Sequence, residues 1–159
     1  MEGLSNYLND HLAGAVGALE LLDRLIETCE GKPLEKFFRE LRADVHQDQE
    51  QLKELVQKLG IEESAARKAG AWIAEKLSRS KIDLGEKSKE EVGLFLALEI
   101  LVLGITGKRS LWRALRAASQ TVPELARLDY SGLEKRAIEQ CERVEARRLE
   151  IARAVFKTG

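Results

Sequence analysis

The chain has 159 residues, of which 44% are apolar and 33% are charged, so one domain spanning residues 1–159 with a buried core is expected. The formal net charge of −1 argues against nucleic acid or an anionic membrane as a general partner. Cys29 and Cys141 are far apart in the sequence, which argues against a zinc site or a disulfide framework. The acidic amino-terminal stretch lacks the layout of a signal peptide, and a cytoplasmic location is predicted.

Four stretches carry apolar residues that alternate three and four positions apart, a spacing that keeps one face of a helix toward a partner helix. The predicted helices cover residues 4–29, 33–59, 88–119 and 131–156. Gly31 and Gly60 supply the stops after the first two helices. A short amphipathic helix is predicted at 63–79, within the long connection that precedes the third long helix.

Charged and amide side chains occur on or beside these apolar faces. Asp48 takes a core position of the second helix, and Glu99 lies in the middle of the most apolar run of the third. Since a buried charge is stable only with a partner, we interpret these side chains as a buried polar network. The predicted network consists of Asp44, Asp48, Glu99, Lys108, Arg109, Arg113, Gln140 and Arg147.

Three segments carry a resemblance to a known superfamily: YLNDHLAGAVGALELLDRL (7–25), LALEILVLGITGKRSLWRAL (96–115) and EQCERVEARRLE (139–150). Together with the order hairpin, long crossover, hairpin, they make the chain similar to ferritin-like proteins, and most similar to a bacterial group without assigned function. The expected fold is all-α: a ferritin-like four-helix bundle whose long crossover, containing the short helix, joins helices 2 and 3.

The resemblance raises the question of a metal centre. Ferritin-like diiron sites use a Glu from each of two helices and a Glu-x-x-His from each of the other two. Here Asp48-x-x-Gln51 has Gln in the place of His, and the fourth helix has no His. A reduced iron or manganese site would draw on His11, Asp48, Glu99 and Glu142.

Three functional hypotheses follow. The first is a ferritin-like bundle in which the ion-pair network replaces a degenerate metal site and which has a binding or assembly role, self-associating as a homodimer. The second is an iron- or manganese-dependent oxidoreductase or storage protein with the reduced ligand set. The third is the binding of a small anion by Arg109, Arg113 and Arg147. The cations beside the predicted core favour the first, because they pair with carboxylates and repel a metal ion. No catalytic residues are identified.

Overall fold

The computed structural model describes residues 2–64 and 87–157, and the predicted short helix at 63–79 falls almost wholly outside them. These residues form four long helices and no strand, with a 3-10 turn, Pro123–Leu125, before the last helix. Each helix lies within two residues of its predicted bounds, so the all-α class is confirmed. The helices are α1 (Glu2–Thr28), α2 (Leu34–Lys58), α3 (Lys87–Ala118) and α4 (Tyr130–Val155).

Two glycines end the first two helices as predicted. Gly31 and Gly60 have φ angles of 75° and 66°, a region that residues with a Cβ rarely adopt. After α2 the Ile61 N–H bonds to the Val56 carbonyl at 3.1 Å, and the Gly60 N–H bonds to the Gln57 carbonyl at 3.0 Å. This pair of bonds is a Schellman motif, which satisfies carbonyls that the helix end would leave unpaired.

Side-chain contacts give the direction of the two helical hairpins. Asp23 pairs with Arg42, while Asn9, nearer the start of α1, bonds to the Glu62 carbonyl beyond the end of α2 at 3.0 Å. The first two helices are therefore antiparallel. The last two are also antiparallel, because Glu99 contacts Arg148 whereas Arg116, later on α3, donates to Ser131 at the start of α4.

The second and third helices run in the same direction. Lys32, just before α2, lies 3.6 Å from Glu90 in the first turn of α3. Farther along both helices, Asp48 pairs with Lys108 at 2.7 Å. Helices α1 and α4 therefore run in one direction, and helices α2 and α3 run in the opposite direction.

All four helices contribute apolar side chains to one core. Burial of each large apolar side chain stabilises the fold by about 1.5–3 kcal/mol. At the carboxyl end of α4, Arg147 is exposed and not buried as predicted, because it pairs with Glu150 at the surface and lies over the Phe37 ring. The fully buried apolar side chains are Leu8, Leu22, Phe38, Val56, Leu98, Ala137 and Val144. Within residues 2–64 and 87–157, no helix is long and apolar enough to span a bilayer.

Candidate functional site

Asp48 is the centre of a buried charge cluster that joins α2, α3 and α4. Its side chain is 1% exposed. Oδ2 accepts hydrogen bonds from Lys108 Nζ at 2.7 Å and from Gln140 Nε2 at 2.9 Å, while Oδ1 accepts from Arg136 Nε at 3.0 Å. Lys108 Nζ also donates to Gln140 Oε1 at 2.6 Å. We call Asp48, Lys108, Arg136 and Gln140 the interior cluster.

The helical spacing places the interior cluster in the core. Asp48, Lys108 and Gln140 each lie on the apolar face of their helix, so the periodicity that buries their apolar neighbours also turns them inward. Arg136 precedes Gln140 by one turn and reaches Asp48 from the surface, with 35% of its side chain exposed. The cluster therefore contains one fully buried carboxylate that shares its two oxygens among three donors.

Burial lowers the pKa of Lys108, and the nearby Asp48 carboxylate opposes that shift. Two of the three N–H donors of the ammonium group are directed to Asp48 and Gln140. The Lys108 amine is therefore desolvated, and its third N–H donor is not used in these two bonds.

Glu99 lies outside this cluster and is not buried as predicted. Its side chain is 47% exposed, and it contacts Arg148 at 3.4 Å. The reason is geometric, because one residue along a helix is a rotation of about 100° and Leu98 takes the inward position. Arg148 itself bonds mainly to Glu145, at 2.6 and 2.7 Å.

The arginines predicted for the network on α3 meet a carboxylate of α4 instead. Glu134, 15% exposed, has Arg109, Arg113 and Arg116 at 3.6, 3.7 and 3.3 Å. The three arginine side chains are 45–61% exposed. Exposed ion pairs of this kind contribute up to about 1 kcal/mol each. This arrangement occupies Arg109 and Arg113, on which the anion-binding hypothesis depends.

The other two predicted network residues lie near the surface between α2 and α4. Asp44 pairs with Arg143 at 2.6 Å, and 32% of its side chain is exposed. Arg147, predicted at a core position, is exposed, pairs with Glu150 at 3.2 Å and places its guanidinium 5.5 Å from the centre of the Phe37 ring. The structure thus brings Asp48, Lys108 and Gln140 together and distributes the remaining predicted residues over four other ion-pair groups.

The residues that the structure describes do not form a ferritin-like metal centre. Across residues 2–64 and 87–157, no group of three or more His, Cys, Asp or Glu side chains is placed to hold a metal ion. The Lys108 ammonium and the Arg136 guanidinium lie 2.7 and 3.0 Å from the Asp48 oxygens, where a metal ion would have to bind. Glu99 points to Arg148, and Glu142 is exposed on α4. The donor set therefore does not fit iron or manganese.

A cavity of about 260 Å³ adjoins the interior cluster, between α1, α2 and α3. Asp48 and Lys108 form part of its wall, and His11 lines it from α1. Most of the remaining lining is apolar, including Leu21, Val45, Leu52, Leu101, Ile105 and Trp112. The cavity is therefore an apolar space with a few polar groups, which is the usual character of a small-molecule site.

Trp112 also lines this cavity, and its indole donor is buried. Its side chain is 1% exposed, and its indole Nε1 has no hydrogen-bond partner in the part of the chain that the structure describes. The adjacent Tyr130, with ring centres 6.4 Å apart, donates its own hydroxyl proton to the Leu125 carbonyl. A buried donor without an acceptor costs about 1–3 kcal/mol, so native proteins rarely retain one.

His11 should make the stability of the fold sensitive to acid. Burial lowers its pKa from 6.5, with Asp10 opposing the shift. The unfolded chain therefore takes up a proton first as the pH falls, so the free energy of unfolding decreases below about pH 6.5 until the lowered pKa of the folded state is reached. Urea unfolding should be measured at about pH 7.5 and at about pH 5.5. Between these two pH values the free energy of unfolding should fall less in His11→Gln than in the wild type.

His46→Gln is the matched control, since it removes the other histidine from an exposed position on α2. His46→Gln should lose as much free energy of unfolding between these two pH values as the wild type does. An equal loss in His11→Gln and the wild type would contradict the assignment to His11.

Sequence reasoning missed Arg136, Glu134 and the donor of Trp112. Arg136 had a detectable signal, because it lies four residues before Gln140 and hence on the same side of α4. Glu134 had none, since its role depends on which face of α3 meets α4. Trp112 lies one turn after Lys108 on the apolar face of α3, and that spacing indicates a packing residue without any information on its hydrogen bonding.

Comparisons with known proteins add no relative: no family model matches the chain, and neither a curated protein nor a solved structure matches it at the significance required.

Proposed function

We propose that the chain is a ferritin-like four-helix bundle in which the interior cluster replaces a metal centre, and that it works by binding or assembly. The helix directions support this topology. Two antiparallel hairpins with α2 and α3 pointing the same way are what a hairpin, crossover, hairpin connectivity produces. Self-association as a homodimer remains a prediction.

One observation carries the proposal: both oxygens of the buried Asp48 carboxylate are bonded to cations and an amide. In ferritin-like metal proteins, inward-facing carboxylates and histidines are the ligands. In this chain, α3 contributes an ammonium and α4 contributes a guanidinium and an amide to Asp48. These donors neutralise the carboxylate and leave it no capacity for a metal ion.

The same observation favours binding over catalysis. The interior cluster is a set of mutual hydrogen bonds, and such sets hold side chains in fixed positions. Asp48 and Lys108 form part of the wall of the 260 Å³ cavity, which is otherwise largely apolar. A fixed apolar cavity with few polar groups suits the retention of a small molecule.

Metal loading tests the proposal. Protein equilibrated with Fe(II) or Mn(II) without oxygen, then desalted, should retain far less than one equivalent per chain when its metal content is measured by mass spectrometry. The reason is the electrostatic repulsion from Lys108 and Arg136 at the Asp48 carboxylate.

The control for metal loading uses histidine and carboxylate variants. One retained equivalent that is lost in His11→Gln or Glu99→Gln and kept in His46→Gln would overturn the proposal in favour of a metal protein. His46 serves as the control because it lies on the exposed face of α2, away from the cavity.

A further inference from the structure

The cavity between α1, α2 and α3 is long and narrow and opens to the surface. Its lining on α3 runs from Ile100 to Trp112, about 18 Å at 1.5 Å per residue. A volume of about 260 Å³ spread over that length suits an extended chain better than a broad ring system. Gly14 of α1 and Gly104 of α3 line the cavity and are exposed, so it opens between these two helices.

Gln49 brings an unused amide to this cavity from α2. The residue is 6% exposed, and its side chain makes no hydrogen bond within residues 2–64 and 87–157. Among the described residues, the Trp112 indole nitrogen is the only fully buried side-chain N or O atom without a partner. The Gln49 amide therefore keeps some accessible surface. Because Gln49 is a buried residue that lines the cavity, that surface faces the cavity.

The interior cluster gives one wall of the cavity a positive charge. Asp48 and Lys108 line the cavity, and Arg136 pairs with Asp48 at 3.0 Å. Two cations and one carboxylate leave the cluster with a net charge of +1. Since Arg136 balances the charge of Asp48, the charge of the Lys108 ammonium has no counterpart within the cluster.

The titratable groups around the cluster do not cancel this charge. Asp44, one turn before Asp48, is itself neutralised by Arg143 at 2.6 Å. Burial lowers the pKa of His11, the remaining titratable residue of the lining, so His11 is uncharged at neutral pH. An anionic group in the cavity would therefore be attracted to Lys108 and would bring the cluster to neutrality.

Two side chains can bind the oxygens of such a group. Lys108 Nζ has one N–H beyond its bonds to Asp48 and Gln140. Gln49 follows Asp48, the partner of Lys108, and both of its amide N–H donors are free within the described residues. A carboxylate has one oxygen for each donor, and hydrogen bonds to a charged acceptor are about twice as strong as neutral ones. These bonds offset the loss of its hydration.

We propose that this cavity binds an aliphatic monocarboxylate of medium chain length, whose carboxylate pairs with Lys108 and accepts an N–H of the Gln49 amide. The chain of the ligand lies along the apolar wall toward Ile105 and Leu101. This proposal rests on the proposed binding function and names the class of ligand. It gives the buried Gln49 amide a partner and the interior cluster a counter-charge.

Three probes with the same alkyl chain test the head group. Octanoate is anionic, 1-octanol is neutral and octylammonium is cationic. Isothermal titration calorimetry below the concentration of micelle formation should show saturable binding of one octanoate per chain. Octanoate should bind about tenfold more tightly than octanol, because hydrogen bonds to a charged group are stronger than neutral ones. Octylammonium should not bind, because its charge is repelled by the Lys108 ammonium.

Two variants remove the donors one at a time. Lys108→Met and Gln49→Leu should each weaken octanoate about tenfold, the loss of one charge-assisted hydrogen bond, and should weaken octanol far less. Arg109→Met is the control for charge, since it removes a cation of α3 that does not line the cavity. Gln51→Leu is the control for the amide, since it removes a glutamine of α2 outside the lining. Both controls should keep the wild-type affinity.

A third variant tests the space. Gly104→Leu should abolish binding of octanoate and octanol alike, because Gly104 lines the cavity and a Cβ there meets no atom within 4 Å. Gly107→Leu is the control: it is on the same helix, has the same open surroundings and does not line the cavity.

Three results would overturn the proposal. The first is no saturable binding of octanoate to the wild type. The second is binding of octanol or octylammonium as tight as that of octanoate. The third is equal octanoate affinity in the wild type and in Gln49→Leu. The metal-loading measurement is independent of these titrations, so a metal-free protein that binds no probe overturns the cavity ligand and leaves the absence of a metal centre in place.

Discussion

Asp48→Asn should lower the free energy of unfolding by about 3–5 kcal/mol, the usual cost of removing one partner from a buried ion pair. The substitution keeps the shape of the side chain and removes its charge. Lys108, with 16% of its side chain exposed, then loses the carboxylate with which it pairs. Urea titrations followed by circular dichroism should show a lower midpoint with an unchanged slope, which indicates a change of stability in a two-state transition.

Asp44→Asn is the matched control for Asp48→Asn. Asp44 lies one turn earlier on α2 and also pairs with an arginine of α4, but its side chain is 32% exposed. Solvent screens that pair, so its loss should cost less than about 1 kcal/mol. Equal losses in the two variants would show that the Asp48 charge is not effectively buried and would contradict the interior cluster as described.

Replacing the three most buried members of the interior cluster together should restore the stability that Asp48→Asn removes. The triple variant Asp48→Leu, Lys108→Met, Gln140→Leu should be as stable as the wild type or up to about 4 kcal/mol more stable. The reason is that desolvation of buried charges offsets most of their attraction, whereas apolar side chains of similar volume lose nothing on burial.

Arg136 does not prevent this restoration. Its side chain is 35% exposed, and it also donates to the Gln47 amide oxygen at 3.3 Å, so it keeps a partner and solvent when Asp48 is gone. The measurement is the same urea titration, with Lys108→Met alone as the control. That single variant should be only mildly destabilised, because Asp48 keeps Arg136 and Gln140. A triple variant less stable than Asp48→Asn would contradict the prediction.

The helices could be predicted from the sequence because their signals are local. Apolar residues three and four apart define each helix, and Gly31 and Gly60 end two of them with the backbone conformation that glycine favours. The inward positions of Asp48 and Gln140 followed from the same spacing. These features depend on residues within a few turns of one another.

The partners of the charged residues could not be predicted because they depend on how helices face each other. Glu99 is predicted to be buried from the apolar run around it and Arg147 from its spacing, yet both side chains are largely exposed, at 47% and 45%. Arg136 reaches Asp48 across 88 residues of sequence. The cavity is likewise a gap between three helices, and no single helix encodes it.

The single carboxylate shared by three helices has a consequence for alternative packings of this chain. Leucine-rich helix faces repeat every turn, so they fit almost equally well after a slide of one turn, about 5.4 Å. Such a slide would carry Lys108 or Gln140 out of reach of Asp48 and strand a charge in an apolar interior. We infer that Asp48 penalises the slipped arrangements more than it stabilises the native one, a role attested for buried polar residues in coiled coils.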